Sequence, residues 1–275
     1  MIQLSRRLVL GGLAAGFASR ALAAAPPLTV EGALTQGGWA IGRVPLGALV
    51  TLDGAPLPVE QGRFLIAFDR DAGPKAVLSA SLPSGENITR ELTIAPRAWH
   101  IEQVDTPLRP PSLPDEAYAK LRGQEVARIN AARSRGEQAE GWQQKFMWPA
   151  KGRLSGQFGS QRIYQGVPGS YHSGTDIALP QGAVYNAPAA GVVVLAADHP
   201  FTLEGNLLML DHGMGLISAF LHSSALLVKE GDRVAQGQPL GLVGMTGRAT
   251  GSHLHWGMRW RETRLDPTLF CVGAF

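Results

Sequence analysis

The chain has 275 residues, 45% of them hydrophobic: enough for two modest domains with real cores, and not apolar enough for a chain-spanning membrane protein. Its 25 Lys+Arg exceed its 22 Asp+Glu by three, but Arg6, Arg7 and Arg20 all fall within the first 23 residues, so the remainder is formally neutral. No basic run interleaved with aromatics exists either, and a nucleic-acid partner is therefore not expected.

The N-terminus reads M-I-Q-L-S-R-R-L-V-L-G-G-L-A-A-G-F-A-S-R-A-L-A-A-A-P-P. A charged start, a short apolar run and small residues before a Pro pair make residues 1–23 an export signal, with A-x-A at Ala21 to Ala23. The stretch from Leu8 to Ala18 falls short of the ~20 residues of a membrane helix, so no stable membrane insertion is expected after cleavage. The Arg6-Arg7 pair resembles a twin-arginine signal; a general secretory signal fits as well. A periplasmic location is expected, with an extracellular one as the alternative. Cys271 is the single cysteine, and it cannot form an internal disulfide.

Residues 24–105 read as a β-sandwich domain. Short alternating apolar runs are separated by turn residues: A-L-V-T-L precedes Asp53-Gly54, R-F-L-I-A-F precedes Asp69, and A-V-L-S-A-S-L precedes Pro83-Ser84-Gly85. Asp-Gly between alternating runs is a hairpin signal. Asp69, Arg70 and Asp71 are read as a local surface turn. No catalytic cluster is visible in this segment, which is expected to be dispensable for catalysis.

Residues 106–147 form a connector. The proline-rich stretch 107–114, P-L-R-P-P-S-L-P, should be extended. Asp115 to about Gln138 should be an amphipathic helix on the apolar spacing Tyr118, Leu121, Ile129, Ala132. Its arginines, including Arg122, Arg128 and Arg133, are read as a solvated face, and a role as a lid over a neighbouring groove is the second reading.

Residues 148–275 are rich in β-like runs punctuated by glycine, and they carry the chemistry. His172 and Asp176 stand in H-S-G-T-D, where Gly174 and the later Pro180 argue against a helix; His172 should end a loop and Asp176 begin the strand D-I-A-L. His253 and His255 stand in S-H-L-H-W-G-M-R-W, whose alternation suggests a strand with both imidazoles on one face. Together these groups supply two imidazoles and one carboxylate for a divalent metal, with a further imidazole beside it. Three protein ligands leave a fourth position open, which marks a catalytic site. H-E-x-x-H is absent.

The order HxxxD, then F-L-H ending at His222, then HxH resembles the lysostaphin-type, or LytM-domain, peptidoglycan zinc metalloendopeptidases. The surrounding words A-P-A-A-G-V-V, D-H-G and G-R-A-T-G-S-H-L-H-W are similar too, and the likeness covers roughly residues 148 to 270. The resemblance implies one Zn2+ held by His172, Asp176 and His255, with His222 and His253 as catalytic histidines that do not bind the metal. It also implies peptidoglycan stem peptides or cross-bridges as substrate. A related possibility is a non-hydrolytic activator of a separate cell-wall amidase, as in family members that have lost their ligands; this chain keeps them all. The run V-K-E-G-D-R-V-A-Q-G-Q-P-L-G resembles a carrier-domain turn but offers no lysine at a hairpin tip.

The expected fold is mainly all-β: an N-terminal β-sandwich, a helical connector, and a C-terminal β-rich, partly open two-sheet metallopeptidase domain. His212 is expected to be structural, and His100 and His199 to be ordinary surface or packing residues. G-M-T-G-R-A-T-G should form a groove wall beside His253. Tyr164, Tyr171 and Trp256 are candidates to line that groove, with core packing as the other reading of the tryptophan.

Overall fold

The structure is a computed structural model, and it describes residues 27–106 and 116–271. The expected export signal and the stretch 107–114 lie outside the described residues. Two small antiparallel sheets open the chain. Thr29–Gly32, Trp39–Arg43 and Arg63–Ala67 form one; Ala55–Leu57, Leu49–Leu52, Lys75–Ser81 and Asn87–Thr93 form the other. In Lys75–Ser81 every second side chain turns inward, the period-2 signature of a half-buried strand. Phe64, Ile66, Leu78, Leu92 and Ile94 fill the space between the sheets. Asp53 and Gly54 both take positive φ, 49° and 80°, the conformation of the tight turn that Asp-Gly favours, and Leu52 pairs with Ala55 across it.

The helix runs from Glu116 to Arg133, shorter than its apolar pattern predicts. Its seated face differs as well. Tyr118 and Leu121 are 38% and 41% exposed, whereas Glu125, Ile129 and Ala132 are buried. Ile129 and Ala132 pack on Val194, Leu195, Phe201 and Met209. The Glu125 carboxylate accepts from the Thr202 backbone N–H and hydroxyl, at 2.7 and 2.6 Å, and pairs with Arg122. Arg122 also forks onto both Glu204 oxygens at 2.7 and 2.8 Å, and Arg128 reaches Asp198 and Glu230. Arg122 thus clamps beside the buried Glu125 carboxylate, and Arg128 makes two more exposed pairs, so neither is simply a solvated face.

The C-terminal half is built on an eight-stranded sheet. Its path runs Arg233–Val234, Gly191–Ala196, Asn206–Asp211, Leu216–Ser223, His253–Trp260, Gly174–Ala178, Arg153–Gly156, and Thr263–Leu265 pairs off this path with His253–Trp260. A three-stranded sheet of Val184–Asn186, Pro239–Leu242 and Ala225–Leu226 provides the second layer. Tyr185, Phe220, Leu240, Val243, Leu254 and Trp256 belong to the core these elements share. The sheet keeps two free edges, so the fold is a partly open, mainly β architecture. No helix among the described residues is long and apolar enough to cross a membrane.

His212 sits in this core at 0% exposure. Its ring nitrogens meet the Ala190 carbonyl and the Ser218 hydroxyl, both at 2.8 Å. Burial pushes the imidazole down to about 4, only partly opposed by the Ala190 carbonyl. The unfolded chain, with an ordinary value near ~6.5, then binds more protons than the folded chain between these values, so stability falls as pH drops through that window, by about 3 kcal/mol in all. Urea midpoints measured from pH 7.5 to 4 should show this slope, and His212→Gln should flatten it.

The two halves are tied together. Trp39 stacks on Phe270 with centroids 4.2 Å apart and donates to the Leu269 carbonyl, and Leu65 enters the C-terminal core. Arg97 meets the buried Asp266 carboxylate at 2.8 Å. Ile101–Val104 pairs in parallel with Gln161–Tyr164. The expectation that residues 24–105 are dispensable therefore changes. The fragment 106–275 should lose the Arg97–Asp266 partnership and its apolar cover, at a cost of about 3–5 kcal/mol for the stranded buried charge alone, read as a lower melting temperature and weaker metal retention.

Candidate metal centre

Strand register brings the site together. Asp176 lies directly opposite His255, and Ala178 opposite His253, so Asp176, His253 and His255 share one face. His172 precedes that strand in a loop, its backbone exchanging hydrogen bonds with Gly159 and Ser160. Asp176 Oδ1 stands 2.8 Å from His255 Nδ1 and 3.2 Å from His172 Nε2, and the two nitrogens are 3.1 Å apart. The donor atoms of His172, Asp176 and His255 all lie within 4.8 Å of one another.

His172 Nδ1 faces the Gln157 carbonyl at 3.1 Å. A carbonyl only accepts, so Nδ1 carries the proton and Nε2 turns a lone pair into the cluster. Burial disfavours a charged His172, but Asp176 outweighs it and raises its pKa; burial likewise opposes ionised Asp176, and the two imidazoles hold it well below the carboxylate range. Electron-pair donors aimed at one point, two nitrogens and one carboxylate oxygen, form a donor set that fits a borderline divalent cation such as zinc.

His222 and His253 stand beside this cluster, their rings 5.0 Å apart, with His222 6.3 Å from His255. In Leu216–Ser223, Phe220 pairs with Trp256 on the core side and Leu221 with His255 on the site side, so strict alternation would send residue 222 into the core. Instead His222 takes φ 64°, a left-handed conformation costly for most residues other than glycine and asparagine, and the register against Asn206–Asp211 slips at the same place. That break swings the imidazole to the site.

The glycine-rich wall expected beside His253 does more than line a groove. The Thr246 carbonyl accepts from His222 Nδ1 and the Gly251 carbonyl from His253 Nδ1, each at 2.8 Å. In the neutral form of each ring this tautomer leaves the Nε2 lone pair free. His253 Nε2 lies 3.8 Å from Asp176 Oδ1. Burial first, and then the charges of His255 and His253, lower the His222 pKa, which keeps it neutral.

Two glycines make room for the cluster, a role the sequence reading did not see. A Cβ on Gly174 would stand 2.6 Å from His255 Nε2 and 2.6 Å from the Trp256 carbonyl; a Cβ on Gly156 would stand 2.3 Å from an Asp176 oxygen. Gly174→Ala should push the His255 ring aside and lower zinc affinity by about 10- to 100-fold, the loss typical of disturbing a ligand's surroundings. Gly123→Ala in the helix, where nothing lies within 4 Å, should instead stabilise by about 0.5–1 kcal/mol. Zinc titration and thermal melts of both variants check the contrast.

The first segment also reaches the site. Arg70, 7% exposed, donates to the Gly159 carbonyl and to Gln161, next to the backbone that pairs with His172. Asp69 accepts from the Tyr171 hydroxyl at 3.1 Å. Asp69 and Arg70 do sit in a turn, closed by the Ala72 N–H on the Asp69 carbonyl at 3.1 Å, and their side chains also brace the His172 loop. Tyr164 and Tyr171 line a groove of about 1200 Å³ that includes His172 and Asp176, and His100 lines it too. Trp256 is core, at 0% exposure. His199 lies on the surface beside Asp198. The Cys271 thiol, pushed up to about 12 by burial and then by Asp266, is an inert packing residue.

The sequence pattern of Peptidase family M23 matches residues 170–267, the stretch that contains all five of these site residues. The structure of a peptidase M23 from Pseudomonas aeruginosa superposes with a TM-score of 0.65 at 29% identity, covering 88% of this chain and 96% of that one. Residues 170–267 of this chain thus carry the sequence pattern of peptidase family M23. Among curated proteins the M23 region is 39% identical over 114 residues to the peptidoglycan DD-endopeptidase ShyA of Vibrio cholerae, covering 41% of this chain and 26% of ShyA. It is 32% identical over 144 residues to the cell division protein DipM of Caulobacter vibrioides, covering 52% of this chain and 23% of DipM. The chain thus spans about a quarter of the length of these relatives.

Proposed function

We propose that this protein is an exported zinc metalloendopeptidase that hydrolyses amide bonds in the peptides of peptidoglycan. The observation that carries the reading is the convergence of His172, Asp176 and His255 with two tautomer-fixed imidazoles beside them. His172, Asp176 and His255 would hold the ion, and His222 and His253 would stay off it. A zinc ion there supplies Lewis acidity, polarising the scissile carbonyl and making a water nucleophilic near neutral pH.

The chain's own residues supply the rest. A neutral imidazole with a free Nε2 accepts the proton that water loses as its oxygen adds to the carbonyl carbon. The same proton passes to the departing nitrogen as the C–N bond breaks, which leaves a carboxylate and an amine. The second imidazole, when protonated at Nε2, donates from that nitrogen to the developing oxyanion. Asp176 and the Gln157 carbonyl orient the ligand rings throughout. The groove beside them, with Gly156 and Gly169 in its wall, lets an extended peptide approach the backbone.

The likeness to a DD-endopeptidase supports direct cross-links between D-amino acids as the bond cut, with glycine bridges as the alternative specificity. The division expected from sequence, 1–23, 24–105, 106–147 and 148–275, remains our reading of the chain, with 24–105 acting as a brace for the site. A periplasmic location follows from the same substrate. The test is metal content against activity: the purified protein should hold one zinc per chain, lose hydrolysis of a cross-linked muropeptide on chelation and regain it with zinc. Full turnover by the metal-free protein would overturn the reading.

A further inference from the structure

The face of the large sheet that carries Asp176, His253 and His255 continues past them into a second cavity of about 310 Å³. Its floor follows from register. Leu221 lies opposite His255, Ala219 opposite Gly257, and Ile217 opposite Arg259, so these side chains share the site's face. Gly257 and Ala219 contribute almost no bulk, and the floor sinks there into a trough. The helix Glu116–Arg133 closes it from above with Val126, Ile129 and Arg133. One end opens on the metal centre: His255 Nε2, the ring nitrogen turned away from Asp176, lies 3.7 Å from where a Cβ on Gly257 would be.

The far end is cationic. Arg133, Arg259 and Arg264 all line it. Arg259 pairs with Glu262. Arg264 lies over the Tyr171 ring, 5.6 Å from its centroid, and Arg133 reaches only the side-chain oxygen of Asn130, in its own helix. Among the described residues no carboxylate forms an ion pair with Arg133 or Arg264. Arg133, exposed to solvent, stands near the like charges of Arg259 and Arg264 and the opposite charges of Glu262 and Glu204. With Arg122 and Glu204 paired on the same wall, four guanidiniums face two carboxylates, Glu204 and Glu262, which leaves positive charge that an anion would neutralise.

We propose that this trough is a substrate subsite that receives a free carboxylate of the peptide being cut, held by Arg133 and Arg264. The proposal rests on the hydrolase reading above and adds a specificity to it. At a rise of ~3.3 Å per strand residue, Arg259 lies ~13 Å along the strand from His255, a span that about four residues of extended peptide cover. The carboxylate recognised thus lies within about four residues of the scissile bond. The cationic end thus favours a free carboxylate over an uncharged bridge.

The test is calorimetric titration of the zinc-loaded full chain with a cross-linked peptide whose scissile amide is reduced to CH2–NH. Three forms are compared: all carboxylates free, the C-terminal carboxylate amidated, and the carboxylate of the diamino acid amidated. The free acid should bind about 10- to 100-fold more tightly than one of the amides, as a charge-assisted Arg pair predicts, and whichever amidation removes the advantage identifies the source. In Arg133→Gln that advantage should vanish with the amide's Kd and the melting temperature unchanged, and Arg133→Lys should restore part of it. Failure of the free acid to bind, equal binding of all three forms, or an equal loss for acid and amide in Arg133→Gln would each overturn the subsite. Turnover of the ordinary amide peptide is measured alongside. Cleavage without carboxylate preference removes the subsite alone; preference without cleavage removes the hydrolase reading alone.

Discussion

His255→Ala is expected to release the metal and abolish hydrolysis together. The imidazole is one of three donors, and it also sits 2.8 Å from Asp176 Oδ1, so its loss both removes a ligand and leaves the carboxylate short of the partner that holds it. Disturbing even an outer-shell neighbour costs about 10- to 100-fold in metal affinity; removing the ligand itself should exceed that, leaving the protein metal-free at micromolar zinc. Because polarisation of the carbonyl is worth several kcal/mol, activity should fall to background. Zinc content by elemental analysis and turnover on a cross-linked muropeptide check both halves. A zinc-replete, active variant would remove His255 from the ligand set.

His222→Ala should separate the two losses. Its ring stays off the donor cluster, and its Nε2 carries the lone pair because the Thr246 carbonyl occupies Nδ1–H. Zinc should stay at one per chain while kcat falls about 10²- to 10⁴-fold, the usual contribution of a positioned acid or base. Alanine at φ 64° also strains the backbone, so His222→Asn, which tolerates that conformation, is the cleaner variant and should show the same split with less loss of stability. Full turnover in His222→Asn would end the proposed role of this side chain.

How much of this was legible in the sequence depends on whether a local pattern or a distant neighbour decides the matter. The Asp53-Gly54 hairpin was readable because both residues' preferences act on the turn itself. The strand alternation at His253 and His255 gave their common face for the same reason. His222 was identifiable only by resemblance, since a strict period of 2 would have put it in the core; the left-handed break at 222 has no signature in F-L-H. Gly156 and Gly174 looked like ordinary punctuation, and only the facing His255 and Asp176 reveal why they carry no Cβ. In the helix, the apolar spacing pointed to Tyr118 and Leu121. Thr202 and Glu204, some 80 residues on, decided instead that Glu125 be buried and Arg122 spent on clamping it. The same holds for Arg70 and Asp69, whose partners Gly159, Gln161 and Tyr171 belong to the other half of the chain.

Mass spectrometry of purified, cross-linked peptidoglycan after incubation with the zinc-loaded protein, beside a chelator-treated control, tests the central claim most directly. The account predicts smaller muropeptides released only with metal present, each cut leaving a new amine and a new carboxylate at one defined peptide bond. Intact peptidoglycan in the presence of protein confirmed to hold zinc would contradict it.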